Sequence, residues 1–205
     1  MARTPPILEG VALVASGSAT PSQRVTNEQL SQRVDTNDTW IKSRTGICAR
    51  HVVGPNESLS NLCKQAGEAA LAMAGWSPES IDLLILATST PDDLFGSAPK
   101  VQGLLGTNNA VAFDLTAACS GFLFSLITAS QYLRNSGMRR ALVIGADQLS
   151  SFVDWDDRTT CVLFGDGAGA ISLEQTTKEQ NSLIGFQLKS DGQRGDCLKL
   201  EQKKD

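Results

Sequence analysis

Residues 112–123, Ala-Phe-Asp-Leu-Thr-Ala-Ala-Cys-Ser-Gly-Phe-Leu, are the stretch that decides the fold. The apolar run at its start predicts a strand, and small residues then surround a single cysteine, Cys119. From Gly121 to Ala129 the chain stays apolar for longer than one strand needs, which predicts a helix. The order is therefore a strand, a tight turn that carries Cys119, and a buried helix.

The position of Cys119 has a chemical consequence. The first amides of a helix lack intrahelical partners and carry partial positive charge, which favours a thiolate over a thiol. The small neighbours Ala117, Ala118 and Ser120 let the backbone turn sharply and let a substrate approach the sulfur. Cys119 is a candidate nucleophile, although the same pattern also fits a buried, unreactive cysteine.

Further strands and helices alternate on both sides of this stretch, as in an α/β protein. Predicted strands cover Ile7–Ser18, Ile81–Thr88, Ala141–Gly145, Cys161–Phe164, Ala168–Leu173 and the start of Ile184–Lys189. Predicted helices cover Glu28–Val34, a segment from Thr36 or Asn37 to Gly46, Leu59–Met73, Lys100–Leu105, and Gly121 to about Asn135.

A glycine run at residues 165–169, Gly-Asp-Gly-Ala-Gly, superficially matches a dinucleotide-binding fingerprint. That motif works only when a helix opens directly after it, because the helix N-terminus holds the phosphates. No helical pattern follows here. Close approach of two backbones is the better account of these glycines.

Trp40 and Arg44 lie four residues apart on one face of a predicted helix and can clamp a flat group. The alternative is that Trp40 packs in the core and Arg44 pairs with Asp38 or another acid. His51 has no acid or nucleophile near it in the sequence, so no catalytic role is predicted for it.

Composition narrows the class of protein. The chain has 205 residues and 41% hydrophobic content, enough for one well-cored globular domain. A net charge of −4 with both signs interspersed, and 5% aromatic residues, argue against nucleic-acid binding. No apolar signal core or membrane-length run appears, so a cytoplasmic location is expected. Five scattered cysteines and one histidine indicate reduced thiols and no metal site.

Three stretches, Asp35–Ile47, Ala117–Phe122 and Phe164–Ala170, carry a family resemblance. In these segments the chain resembles the β-ketoacyl-acyl carrier protein synthase III family of condensing enzymes. The resemblance implies a thiolase-like layered α/β/α/β/α fold and a homodimer, with the helix after Cys119 buried at the centre. Residues 1–178 then correspond to the N-terminal half and residues 179–205 to a truncated start of the second half.

The resemblance also implies an activity, the initiation of fatty-acid synthesis. Cys119 is expected to take the acetyl group from acetyl-coenzyme A, and the carbanion from decarboxylated malonyl-acyl carrier protein then attacks that thioester. The coenzyme A thioester is a substrate, so no separate cofactor is expected.

The same resemblance assigns roles to residues far from Cys119 in the sequence. Trp40 and Arg158 match the pair that sandwiches the adenine of coenzyme A, with Thr36 and Arg44 nearby. Phe95 matches the aromatic residue that projects across the dimer and limits the partner's acyl pocket.

The chain departs from the family in one respect. Members use a histidine and an asparagine from the second half to stabilise the enolate formed on decarboxylation, and neither is matched in this sequence. Two alternatives therefore stay open. One is a truncated, non-catalytic form that acts as a dimerisation or interaction partner, and the other is a different thiolase-superfamily enzyme such as a polyketide starter synthase.

Overall fold

The computed structural model describes residues 8–177, 182–197 and 200. The strands are β1 Leu8–Ala19, β2 Gln23–Thr26, β3 Ala49–Val52, β4 Leu83–Ala87, β5 Val111–Leu115, β6 Arg140–Gln148, β7 Asp166–Gln175 and β8 Ser182–Leu183. The helices are α1 Asn27–Leu30, α2 Asp38–Thr45, α3 Leu59–Ala74, α4 Ala98–Leu105 and α5 Gly121–Asn135. In this part of the chain no helix is long and apolar enough to cross a membrane.

The main sheet has six strands in the order β5-β4-β6-β7-β1-β8. Its β4 strand pairs in parallel with both β5 and β6, while β7 pairs antiparallel with β6 and β1. Because α4 connects β4 to β5 and α5 connects β5 to β6, the carboxyl ends of these three strands lie at one edge of the sheet. In α/β sheets that edge is where ligands bind.

Helices cover both faces of the sheet, and β4 shows why. All five of its side chains are buried, as the sequence predicts for a central parallel strand. Leu84 and Leu86 pack in the cluster that contains α3, whereas Leu83 and Ile85 pack in the cluster that contains α5. The period of two along a strand sends alternate side chains to opposite faces. Because these leucines are buried in the core, replacing one of them by alanine should lower the free energy of unfolding by about 2–5 kcal/mol.

The close approach of β1 to α3 depends on Gly17. A Cβ atom at this position would lie 2.5 Å from the Ala70 backbone nitrogen and 2.8 Å from the Ala69 Cβ. No side chain fits there without displacing backbone. Glycines also end three helices: Gly46, Gly75 and Gly106 end α2, α3 and α4 in the left-handed conformation.

The prediction of a strand at Cys161–Phe164 is wrong. The Cys161 amide donates to the Asp157 carbonyl at 3.0 Å, and the Leu163 amide donates to the Thr160 carbonyl at 3.0 Å. Amides used in local turns cannot pair with a neighbouring strand. Most of the glycine run instead lies inside β7, which continues to Gln175 with no helix opening after it. Close backbone approach accounts for Gly165, where a Cβ would lie 2.9 Å from the His51 carbonyl oxygen, but at Gly167 and Gly169 a Cβ would make ordinary contacts at 3.6 and 4.0 Å.

Two further expectations need correction. Helix α5 is not enclosed in the described structure: it packs on the sheet through residues such as Ala129 and Leu133, but its other face leaves Leu123 56% and Tyr132 40% exposed. The reason is that the described residues supply one sheet for it to pack on, giving three layers.

The strand predicted at Ile184–Lys189 is also absent, since in the described structure β8 ends at Leu183, which pairs with Leu8. The predicted division between residues 178 and 179 lies outside the described residues.

Candidate active site

Cys119 lies on an elbow between β5 and α5, as the sequence predicts. After β5 ends, Ala118–Ser120 form one turn of 3-10 helix and α5 starts at Gly121. Within the described residues, Ala118 is the one non-glycine residue with a positive φ, at 45°. Such a conformation is strained for a residue with a side chain and recurs at functional sites.

The five cysteines differ sharply in their surroundings. Cys119 is exposed, whereas Cys63 and Cys161 are buried. Burial raises the pKa of the Cys63 thiol to about 12, and burial together with the Asp157 carboxylate raises the pKa of Cys161. These two thiols stay protonated at neutral pH and face no solvent, so they are structural. Cys119 is the thiol that combines exposure with a position at the start of a long helix.

A cavity of about 420 Å³ opens beside Cys119 at the carboxyl ends of β4 and β6. Small residues dominate its wall, which leaves room for an acyl group close to the sulfur. The lining residues are Gly17, Ala87, Ala118, Cys119, Phe122, Gly145, Ala146, Asp147, Gly167, Ala168, Gly169, Ala170 and Ile171. Gly145 allows Phe122 to close one side, because a Cβ there would lie 2.9 Å from the Phe122 ring.

Asp147 is the other ionisable residue of this wall within the described chain, and sequence reasoning missed it. Its Oδ1 atom accepts a hydrogen bond from the Ser89 amide at 2.8 Å and longer ones from the Thr88 and Thr90 hydroxyls, at 3.3 and 3.2 Å. With these donors already in place, Asp147 joins the ends of β4 and β6. We therefore assign it a structural role in shaping the cavity.

Phe95 lies on the loop after β4 and is 92% exposed. Both ends of the loop are anchored by carboxylates. The Ser89 amide donates to Asp147 at 2.8 Å, and the Ser97 amide donates to Asp114 at 3.0 Å. Leu94 beside it is 91% exposed, so the anchored loop holds two apolar side chains in solvent.

Trp40 and Arg158 are brought together from distant parts of the sequence. The Arg158 guanidinium carbon lies 4.5 Å from the centre of the Trp40 ring, within the range of a cation–π contact. Trp40 also packs against the cluster that contains Leu30, Ile41 and Val162. One part of the indole therefore packs in the core, as the alternative interpretation predicted, while its ring also contacts Arg158. Because the two groups touch, a flat ring enters between them only when Arg158 moves.

Thr36 comes just before α2, and Arg44 lies in the last turn of that helix. The N-cap of α2 is Asn37, whose Oδ1 accepts from the Trp40 amide at 2.8 Å. The Thr36 hydroxyl is buried and has no hydrogen-bond partner in the described structure. Arg44 is exposed in the last turn and does not pair with Asp38, which Lys42 holds at 2.8 Å instead.

His51 has a structural partner. Its Nδ1 atom lies 2.7 Å from the Pro21 carbonyl oxygen, which fixes the ring to the chain between β1 and β2. A second cavity of about 460 Å³ lies nearer this region, lined by residues including Val25, Leu30 and Trp155, and no cysteine is among its lining residues. Neither feature points to chemistry.

The site is thus a cysteine on a strained elbow, at the carboxyl edge of a three-layered α/β unit. Comparison with known proteins shows what the chain resembles. The sequence model for 3-oxoacyl-[acyl-carrier-protein] synthase III matches residues 113–192. The β-ketoacyl-[acyl-carrier-protein] synthase III of Prochlorococcus marinus (strain MIT 9313) is 71% identical over 202 residues, which cover 98% of this chain and 60% of that protein.

Solved structures agree with this result. The 3-oxoacyl-(acyl carrier protein) synthase III of Pseudomonas aeruginosa PAO1 matches with a TM-score of 0.88 at 37% identity, over 96% of this chain and 62% of that one. The priming β-ketosynthase of the R1128 polyketide pathway matches with a TM-score of 0.78 at 32% identity, over 86% of this chain and 53% of that one. Along nearly its whole length the chain is similar to β-ketoacyl-[acyl-carrier-protein] synthase III enzymes, and it spans about 60% of the length of its curated relative.

Proposed function

We propose that the chain carries the acyl-accepting part of an enzyme that starts fatty-acid synthesis. In this reaction acetyl-coenzyme A acylates Cys119, and malonyl-acyl carrier protein then condenses with the acyl-enzyme to give acetoacetyl-acyl carrier protein. The single observation that carries the proposal is the exposed Cys119 thiol on its elbow, beside a cavity of about 420 Å³. The 71% identity to a named synthase III, against 32% to a polyketide priming enzyme, favours the fatty-acid substrate.

The first half-reaction follows from the groups present. Cys119 loses its proton to solvent, and the thiolate attacks the carbonyl carbon of the acetyl thioester, so that a new S–C bond forms and the carbonyl oxygen becomes an oxyanion. Positive charge at the start of α5 stabilises both the thiolate and the oxyanion. The intermediate collapses by breaking the bond to coenzyme A, whose thiolate leaves and takes up a proton. The thioester is already activated, so this step needs no cofactor.

The condensation step needs groups that we do not assign to this chain. Decarboxylation of the malonyl group produces an enolate that must be stabilised by hydrogen-bond donors. His51, the one histidine of the sequence, is held by the Pro21 carbonyl and is not one of the residues that line the Cys119 cavity. We therefore expect the 205-residue chain alone to accept acetyl groups but to form very little condensation product.

The acyl-transfer step is tested by intact-protein mass spectrometry after incubation with acetyl-coenzyme A. The expected result is addition of one acetyl group to the wild-type chain and none to Cys119→Ala. Cys48→Ala is the matched control, since Cys48 is also exposed, and it should be acetylated like the wild type. A wild-type chain that stays unmodified would refute the proposal.

The coenzyme A site is proposed at the Trp40–Arg158 pair. A stacked guanidinium and indole can take the adenine between them. The exposed Arg44 adds a charge suited to phosphate, and Thr36 offers a buried hydroxyl that lacks a partner in the described structure. Arg158 lies on an exposed turn, so the movement that opens the clamp does not disturb the sheet.

A homodimer is proposed at the β5 edge of the sheet. This strand pairs with β4 on one side only in the described structure, and its first residue, Val111, is 51% exposed. The nearby loop also exposes Phe95, which we propose limits the acyl pocket of the partner.

Two measurements test this arrangement. Sedimentation should show a dimer for both the wild type and Phe95→Ala. An acylation assay should show that Phe95→Ala alone accepts longer acyl groups. A wild-type monomer, or an unchanged chain-length profile, would contradict this arrangement.

A cytoplasmic location is also proposed. Cys48 and Cys119 are exposed and unpaired, which suits a reducing compartment. Fractionation of cells with an antibody against the chain tests this location.

A further inference from the structure

A chain of polar contacts runs from the α2 helix into the protein interior. Asn27, which is fully buried, donates through Nδ2 to Asp38 at 2.9 Å and to the Ile47 carbonyl at 2.8 Å. Its Oδ1 accepts from the Arg50 guanidinium at 2.7 Å. Arg50, 5% exposed, also donates to the Val162 carbonyl at 3.3 Å. We call this the Asn27–Arg50 network.

The presence of Arg50 in this interior is unusual. A buried charge normally has a carboxylate partner, but no acid forms an ion pair with Arg50 within the described residues. Its partners are instead an amide and carbonyl oxygens, and its Nε atom has none in the described structure. Burial lowers the pKa of Arg50. Because burying a guanidinium is costly, we explain Arg50 by the arrangement of the neighbouring segments that it holds in place.

The two ends of the network identify that position. Asp38 belongs to the first turn of α2, the helix that carries Trp40. Val162 follows the turn that carries Arg158, and both Val162 and Cys161 pack in the same apolar cluster as Ile41 of α2. The network therefore connects the helix under the indole to the segment that holds the guanidinium.

We propose that Asn27 and Arg50 are positioning residues that set the separation between Trp40 and Arg158 for the adenine end of coenzyme A. This inference rests on the proposed coenzyme A site. Neither residue needs to touch the ligand, because a clamp built from two separate segments closes correctly only when a rigid support fixes their spacing. Arg50 suits this task because its planar fork bonds two segments at once.

The test compares Arg50→Met, which keeps the apolar stem, with Arg50→Lys, which keeps the charge. Arg50→Met should weaken coenzyme A binding on the order of tenfold, the usual effect of removing a supporting contact, and Arg50→Lys should recover part of the loss. Iodoacetamide should alkylate Cys119 in all variants at the wild-type rate, which shows that the elbow is intact. Arg140→Met, which removes an arginine stacked on another tryptophan, is the matched control and should bind coenzyme A normally.

A second readout does not depend on coenzyme A. In a Trp76→Phe/Trp155→Phe background, the emission of Trp40 reports its contact with Arg158. Arg50→Met should shift that emission in the same direction as Arg158→Met. If Arg50→Met fails to fold, Asp38→Asn at the exposed end of the network is used and should give the same shift, smaller in size.

The outcomes separate the two proposals. A wild-type chain that does not bind coenzyme A refutes the proposed site, while the emission shift still supports the positioning role. Unchanged Trp40 emission and unchanged coenzyme A affinity in a folded Arg50→Met variant would overturn the inference itself.

Discussion

The part of the chain that the structure describes contains two arginine–tryptophan contacts of nearly the same separation. Arg158 lies 4.5 Å from the centre of the Trp40 ring, and Arg140 lies 4.4 Å from the centre of the Trp76 ring. Their surroundings differ. Arg140 belongs to β6 and also forms an ion pair with Glu174 at 3.0 Å, whereas Arg158 lies on a turn and has no ion pair within the described residues.

This difference separates a structural contact from one that can open. Arg140 is fixed by its strand, by the Glu174 carboxylate and by the Trp76 ring, so moving it would break all three contacts. Arg158 is exposed, and its indole contact is the one that would be exchanged for a ligand. A short distance between an arginine and a tryptophan therefore does not by itself indicate a function. What distinguishes the two contacts is how many other contacts hold the arginine in place.

The largest expected effect is on coenzyme A binding. Trp40→Ala should weaken it roughly 10- to 100-fold, because stacking of a base on an aromatic ring contributes about 1–3 kcal/mol. Trp76→Ala should leave it unchanged. Isothermal titration calorimetry of both variants measures the contrast, and equal affinities would remove the distinction between the two stacks.

Stability should respond in the opposite order. Arg140→Met removes a stacked and ion-paired cation, and we expect it to lower the free energy of unfolding by about 1 kcal/mol. Arg158→Met, on an exposed turn, should change that free energy by less than about 0.5 kcal/mol. Urea denaturation followed by circular dichroism checks this, and a larger loss for Arg158→Met would mean that its stack is structural.

A moderate effect is expected from salt. Raising the ionic strength from about 0.05 to 0.5 M shortens the screening length, so binding of coenzyme A phosphates by Arg44 and Arg158 should weaken several-fold. The effect of Arg140→Met on stability should change less, since its ion pair is partly shielded from solvent. Repeating the calorimetric titration with coenzyme A and the urea denaturation at each salt concentration tests this difference.

The smallest effect is expected from acid. Hydrogen bonds from Lys42 and then Asn27 hold the pKa of Asp38 below its usual range. The contribution of Asp38 to folding stability is therefore complete above the pKa of about 3.9 that it has in the unfolded chain. It is lost as the pH falls through the lower pKa of the folded state. Trp40 emission should stay constant from pH 7 to about 4 and then change. Asp38→Asn should lack that acid step, and a step of equal size in the variant would exclude Asp38 as its origin.

Much of this fold follows from local sequence patterns. The buried strand β4, the helices ended by Gly46, Gly75 and Gly106, and the elbow at Cys119 were all predictable, because each depends on periodicity or on a residue with special backbone freedom. These features need no knowledge of distant contacts.

The rest depends on contacts between distant segments. Apolar residues at Cys161–Phe164 suit a strand, but Asp157 and Thr160 capture their amides in turns. Asn27 has the sequence signature of a helix cap, yet Thr26 caps α1 and Asn27 is used in the interior. The sequence around Arg50 gives little indication that its side chain is buried. The one pattern is that Arg50 and Val52 lie two residues apart on β3 and are buried on the same face.

The backbone at Ala118 links the chemistry of the site to folding as a whole. Its positive φ is unfavourable in an isolated peptide, so the turn persists only while β5 and α5 are both docked and hold it from either side. A partly folded chain would present Cys119 as an ordinary flexible thiol. The reactivity that we propose for Cys119 therefore depends on completion of the core, and the rate at which acetyl-coenzyme A modifies the chain should report on the last stage of assembly.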